Sequence, residues 1–240
     1  MIVGIHQPHY LPWLRYVEKI ARSDVFVLLD DVQFTKNGWQ NRTRIKNAQG
    51  WMYLTIPVLD AFGKPINEVA INNQQRWRAK HWQALQTNYA RAPYFERYRE
   101  LLRPLYDQAW ESLCECSIHA LRVLLPAIGI HTPLVRSSEL GAAGSGTERV
   151  IELCRTLGAT AYLTGDYAAT NHLDVATFAS SGIDVQPQRW QAPVYRQQFP
   201  AVPFIPDLSI VDLLFNEGER SLSVLSRRES EPAIAESSRG

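Results

Sequence analysis

Ile2-Val3-Gly4-Ile5-His6 and Val25-Phe26-Val27-Leu28-Leu29-Asp30-Asp31 decide the fold of this chain. Each is a short apolar run that stops at polar residues, the pattern of a strand buried on both faces. Between them, Gln7-Pro8-His9-Tyr10-Leu11-Pro12 cannot form regular helix because it holds two prolines. Pro12 suits the first turn of a helix. Trp13, Leu14, Val17, Ile20 and Ala21 then share one helical face. Strand, loop, helix and strand in immediate succession predict parallel strands and an α/β core.

The alternation returns at the other end of the chain. Residues 133–136, 160–164 and 183–186 read as strands, with helices behind Ser145-Gly146-Thr147-Glu148, a capping-box pattern, and near 174–180. Between the two ends, Trp77, His81, Leu85 and Tyr89 recur every four residues and predict a helix over 74–89. Further helices are expected over 95–106 and 112–128, with Pro126 kinking the last or ending it early. Residues 33–50 are polar, with Asn47-Ala48-Gln49-Gly50 placed to turn a short hairpin; 51–58 and 66–71 read as strands. Asp207-Leu208-Ser209 caps a final amphipathic helix. The expected organisation is one α/β domain over 1–225, a mostly parallel Rossmann-like sheet with a helical block inserted at about 74–128, and a disordered tail over 226–240, where Ser, Glu, Arg and Pro take over.

At 240 residues the chain is long enough to bury a core without disulfide or metal staples. A hydrophobic fraction of 45% against 20% charged residues excludes global disorder. No apolar run reaches membrane-spanning length, and the N-terminus lacks the basic and long apolar regions of a signal peptide. Three cysteines, Cys114, Cys116 and Cys154, are no disulfide framework; a reduced, cytoplasmic setting is expected. Cys114, Cys116 and His119 fall in a helix where i and i+2 face apart, which argues against zinc. Net charge is +1, but residues 1–103 carry fifteen Lys and Arg against eight Asp and Glu, while the remainder is acidic. That imbalance reflects either chance and oppositely charged faces meeting across the fold, or an anionic partner for the first half. Near-neutral overall charge and the lack of any recognisable motif weigh against nucleic acid.

Ligands of open parallel sheets sit beyond the carboxyl ends of the strands. Those ends are His6-Gln7-Pro8-His9, Asp30-Asp31, Ser137-Ser138-Glu139 and Gly165-Asp166. His6 and His9 are candidates for stabilising charge, or merely for bracing a turn fixed by prolines. Asp30 or Asp31 would act as a base or hold Mg²⁺; because neighbouring residues leaving a strand point oppositely, only one should face a given site. Arg42, Arg44 and Lys46 would share one face of an extended segment and grip an anion, with Trp39, Gln40 and Asn41 beside them; the plainer reading is a solvated edge strand. Ser137, Ser138 and Asp166 are further candidate ligand-binding residues, as are Gln7, Tyr10, Gln33 and Lys36 in the same loops.

Four ordered motifs, Gln7-Pro8-His9-Tyr10-Leu11-Pro12-Trp13, Leu29-Asp30-Asp31-Val32-Gln33-Phe34, Asn41-Arg42-Thr43-Arg44-Ile45-Lys46 and Leu208-Ser209-Ile210-Val211-Asp212-Leu213-Leu214-Phe215-Asn216, resemble those of the WbqC-like family. The resemblance spans Ile2 to about Gly218 and implies a biosynthetic setting, surface glycans such as O-antigen or capsule, or specialised metabolites. His6-Gln7-Pro8-His9 also resembles the H-x-G-H signature of nucleotidyltransferases and class I aminoacyl-tRNA synthetases, whose histidines stabilise phosphate charge. The sequence departs from that signature at Pro8, where the glycine gives a nucleotide close approach, and shows no lysine-rich partner motif near 141–148. The resemblances imply a transferase acting on a phosphate-bearing donor such as a nucleotide or sugar nucleotide, with Mg²⁺ as the metal to consider. The alternatives are acyl or aminoacyl transfer to an amino sugar, and a non-catalytic sugar-nucleotide or glycan binding partner.

Overall fold

The computed structural model describes residues 1–166 and 174–227. Strand β1 (Ile2–His6) is followed by α1 (Leu14–Ala21) and β2 (Val25–Leu28). The hairpin strands β3 (Arg42–Asn47) and β4 (Gly50–Thr55) come next, then the short pair β5 (Val58–Leu59) and β6 (Ala70–Ile71). Three helices, α2 (Trp77–Tyr89), α3 (Phe95–Asp107) and α4 (Leu113–Ala127), form the central block. The chain then runs through β7 (Leu134–Arg136), α5 (Ser137–Leu140), α6 (Gly146–Thr156), β8 (Ala161–Thr164), α7 (Val175–Ser181) and β9 (Asp184–Pro187). It closes with α8 (Ile210–Glu217) and α9 (Ser221–Leu225).

The main sheet has the order β7-β2-β1-β8-β9, and every pairing within it is parallel. Ranked along the chain, its strands stand in the order 3-2-1-4-5, which makes the fold Rossmann-like α/β. Strand β1 pairs with β2 through Val3 opposite Val25, Gly4 opposite Phe26 and Ile5 opposite Val27, with α1 between them in sequence. The strand alternation divides the core in two. Val3, Ile5 and Val27 pack with Ile151, Cys154 and Phe178 on one face. Phe26 and Leu28 meet α1, the hairpin and the central helices on the other. Gly4 lies where α1 ends against the sheet: an added Cβ would stand 2.2 Å from Ser23 Oγ and 2.8 Å from the Phe26 ring. No helix among the described residues is long and apolar enough to cross a membrane.

The structure redraws several expected boundaries. Helix α2 begins at Trp77 rather than 74, and Trp77, His81, Leu85 and Tyr89 are all buried along it. Pro126 does not end α4 early; it occupies the last turn, beyond which only Ala127 remains helical. Ser145 precedes α6 but makes no capping hydrogen bond, and Gly146 starts the helix at φ +54°. The strand expected over 51–58 divides at Thr55. The first half of 66–71 is a 3₁₀ turn over Ile66–Glu68, drawn to the end of β2 by hydrogen bonds from Ile66 N to Val32 O and Asn67 N to Asp30 O. Ser137 and Ser138, beyond the end of β7, open a helical turn, α5. Most of the expected tail, 228–240, lies outside the described residues.

Gly4→Ala should lower the free energy of unfolding by about 1–3 kcal/mol, the range for overpacking a close-packed interior. Urea denaturation followed by circular dichroism measures it; an unchanged midpoint would show that α1 can withdraw from β1 at no cost.

Candidate functional site

The chain reverses its direction of strand addition between β1 and β8, so the crevice beyond their carboxyl ends is the expected ligand position. His6 ends β1 there, and Thr164, Gly165 and Asp166 end β8. Past His6 the proline-bounded loop folds back on itself. The His6 and His9 rings meet edge-on with centroids 4.7 Å apart, and both contact Tyr16 of α1, at 5.0 and 5.1 Å. His9 is buried, makes no hydrogen bond among the described residues, and leaves its Nδ1 without a partner. Desolvation and the Lys19 charge drive the His6 pKa down to about 3; desolvation and the neighbouring His6 hold that of His9 well below its ordinary value. Both imidazoles are therefore neutral at pH 7 and act as hydrogen-bonding groups. Lys19 gave no signal in the sequence. Its buried amine donates to Ile5 O at 2.7 Å beneath the same strand end, and desolvation lowers its pKa to about 7.

Ring contacts continue from His9 to the hairpin. Trp13 stands 5.2 Å from His9 and 4.5 Å from Trp39. Arg42 lies over Trp39 and Tyr53, at 5.7 and 4.5 Å, and Arg44 lies over Trp39 and Trp51, at 5.4 and 5.3 Å. The cross-strand register produces this ladder, because Arg44 faces Tyr53 and Arg42 faces Thr55 across β3 and β4, with Trp51 opposite Lys46. Neither arginine pairs with a carboxylate among the described residues, and the Nε atom of each is buried without a partner. Beside them Gln40 donates to Gln7 Oε1 at 2.7 Å but leaves its own Oε1 unpaired. Four of the twelve buried, unpartnered side-chain polar atoms in the described residues thus fall in this one place, the condition expected of a site awaiting a polar ligand or water.

Asp30 and Asp31 stand apart from that ladder. Strand β2 ends at Leu28, so the two residues leave it in a bend, and both reach Ser137; the expectation that they would point oppositely is corrected. Asp30 accepts from Ser138 N at 3.0 Å, Ser138 Oγ at 2.9 Å and Arg136 Nε at 2.8 Å. The single Ser137 hydroxyl proton serves Asp31 at 2.6 Å in preference to Asp30 at 3.1 Å. Arg149 closes the other side of Asp31. Burial alone would raise the Asp30 pKa, but the Ser138 N–H and Arg136 outweigh it and hold the carboxyl below its ordinary value. With three firm donors already in place, Asp30 has little left for a metal or a proton in transit. No three His, Cys, Asp or Glu side chains among the described residues come together as cation ligands. As the described residues hold them, Asp30 and Asp31 do not fit a protein-held Mg²⁺.

Other expected ligand residues are engaged in the fold. The Tyr10 hydroxyl bonds His81 Nδ1 at 3.1 Å and Tyr106 at 2.8 Å within the central block. Asn41 Nδ2 donates to Ile56 O at 2.8 Å. Lys46 shares the strand face of Arg42 and Arg44 but is buried, donating to Gln197 Oε1, Val202 O and Pro203 O at 3.1–3.2 Å. Asp166 accepts from Arg189 N and Trp190 N, which ties the end of β8 to the loop after β9. Gln33 and Lys36 are exposed. Cys114 and Cys116 are buried thiols, that of Cys114 pushed up to about 12 by burial.

The WbqC-like protein family model matches residues 7–224. An uncharacterized protein of Mycobacterium tuberculosis is 35% identical over 220 residues, which cover 90% of this chain and 94% of that one. No solved structure matches.

Acid should weaken the fold through its buried imidazoles. The His6 pKa is about 3 and that of His81 about 4, against 6.5 for the unfolded chain. Between those values the unfolded chain binds protons that the folded one refuses, so stability falls as pH drops below about 6.5. Asp212, raised to about 6 by burial, opposes this between pH 6 and its unfolded value. The histidines outnumber it. Urea unfolding at pH 7 and pH 5 should show a loss of about 1–2 kcal/mol that His6→Asn reduces; a pH slope identical in the variant would place the imidazole in solvent.

Proposed function

The chain belongs to the WbqC-like protein family, and from that premise we propose that it is a transferase of surface-glycan or specialised-metabolite biosynthesis acting on a phosphate-bearing donor. Family membership suggests the biosynthetic role. The reaction class rests on one observation: His6 and His9, at the carboxyl end of the first strand, are joined through Trp13 and Trp39 to two arginines without acidic partners.

In this reading Arg42 and Arg44 hold the donor's anionic group through their outward edges. His6 and His9, uncharged at neutral pH, supply hydrogen bonds to oxygens where charge develops. Because they sit desolvated and are fixed against Tyr16, they need no rearrangement as the charge grows. Asp30 and Asp31, with Ser137, Ser138, Arg136 and Arg149, hold the ends of β2 and β7 in register beside the site. The loss of the H-x-G-H glycine to Pro8 removes one N–H, so the phosphate contacts fall to side chains.

A thermal-shift screen of nucleotides, sugar nucleotides and acyl-CoA compounds identifies the donor, and turnover assays follow. His6→Asn should lower kcat by about 10²–10³-fold while the folded fraction at assay temperature stays above that of a melted control. Variants at His6 and His9 that melt early but turn over normally per folded molecule would sink the transferase role of the pair. Turnover with acyl-CoA donors alone would assign acyl transfer instead.

A further inference from the structure

The geometry points to a site for a diphosphate group at Arg42 and Arg44, with the group attached to it resting on Trp51 and Tyr53. The inference rests on the transferase reading and names the donor's anionic group: the diphosphate that nucleoside-diphosphate sugars and prenyl diphosphates share.

The charge count comes first. Both guanidiniums converge on the same indole, Trp39, at 5.7 and 5.4 Å, and like charges brought together repel. No carboxylate among the described residues offsets either one. Lys46, the third cation of this strand face, is fully used by Gln197 and the Val202 and Pro203 carbonyls. The site therefore presents two positive charges, and a single carboxylate would leave one of them uncompensated.

The spacing and orientation come second. Arg42 and Arg44 are two residues apart on one strand, so their stems rise about 7 Å apart. Aromatic rings cover the guanidinium faces, Trp39 and Tyr53 for Arg42, Trp39 and Trp51 for Arg44. Arg42 Nη2 already donates to Asn37 O and both Nε atoms are buried, so the remaining terminal N–H groups are what a ligand meets, and such edge-on donors suit the oxygens of phosphate. Two forks at that separation match two linked phosphoryl groups better than one small anion. Trp51 and Tyr53 are 44% and 38% exposed, which leaves aromatic surface free beside the forks for a base, a sugar or an isoprene unit.

Isothermal titration at low ionic strength with inorganic pyrophosphate, inorganic phosphate and glucuronate tests the proposal. Pyrophosphate should bind most tightly. Arg42→Gln and Arg44→Gln should each weaken it by about tenfold or more, the loss of one charge-assisted hydrogen bond. Arg44→Lys, which keeps the charge but not the fork, should weaken it as well. Lys80→Gln, on the exposed face of α2, should leave it unchanged, and urea melts establish that every variant is folded. Uridine diphosphate and geranyl diphosphate then identify the attached group, and Trp51→Ala should weaken the better of the two while sparing pyrophosphate. Glucuronate binding as well as pyrophosphate, or pyrophosphate affinity that survives in folded Arg44→Gln, overturns the inference. If pyrophosphate binds as expected and no donor turns over, the diphosphate site stands and the transferase reading falls. If pyrophosphate does not bind while His6→Asn abolishes turnover of another donor, the inference falls and the transferase reading stands.

Discussion

The carbonyl oxygen of Leu11 is the point on which the site depends. Leu11 is buried and sits at φ +41°, a left-handed conformation that costs a residue with a side chain about 1–3 kcal/mol. Two hydroxyls from opposite regions of the chain bond that oxygen, Thr43 Oγ1 at 2.8 Å and Ser209 Oγ at 2.9 Å. Around it, Tyr10 N donates to Gln40 O, Ser209 N to Arg44 O and Ile210 N to Pro12 O. The strained turn after β1 is thus locked to the arginine strand and to the start of α8 at once. Residues 10–12, 40–44 and 209–210, far apart along the chain, thus meet at this one knot. It also explains why His9 is held under Trp13 instead of relaxing toward water.

Burial sets the electrical character of what the knot assembles. It keeps the imidazoles neutral, at positions adjoining the two arginines. A second network repeats the theme in the interior. Asp212 accepts hydrogen bonds from Tyr89 at 2.8 Å and Tyr195 at 2.7 Å, and its charge partly restores the pKa that burial takes from Lys46. That network fastens the 195–205 loop over the end of the arginine strand. The loop thereby decides how many cations a ligand meets.

Elements governed by near neighbours were legible in the sequence. The apolar runs at β1 and β2, the four-residue spacing of Trp77, His81, Leu85 and Tyr89, and the Asn47–Gly50 turn are local signals, and each corresponds to an observed element. Residues whose partners lie far along the chain were not legible. Lys46 alternates with Arg42 and Arg44 as an anion-binding cation should, but its acceptors are more than 150 residues away. Tyr10 lies between two candidate site residues and turns instead to Tyr106. Lys19 sits among apolar residues of α1, and only the sheet beneath it reveals that its amine is buried under His6. Asp30 carried the opposite difficulty: strand-end position singled it out, while the serines that saturate it are over 100 residues distant.

The uneven charge of the two halves of the chain survives folding, which narrows its meaning. Arg15, Arg97 and Arg103 of the first half pair with Asp207, Glu219 and Asp107 of the second. In the other direction, Asp30 and Asp31 pair with Arg136 and Arg149. Three cations and two carboxylates are withdrawn from the first half by these exchanges, so its positive balance falls by only one charge. Mutual neutralisation across the fold therefore does not account for it. Lys19 and Lys46 are buried within the fold, while Arg42 and Arg44 are stacked between aromatic rings instead of ranging freely in water. Immobilising like charges side by side sacrifices both entropy and electrostatic energy. A ligand that supplies the missing negative charge recovers the electrostatic part, and because the forks are already fixed, it binds without paying their ordering cost again.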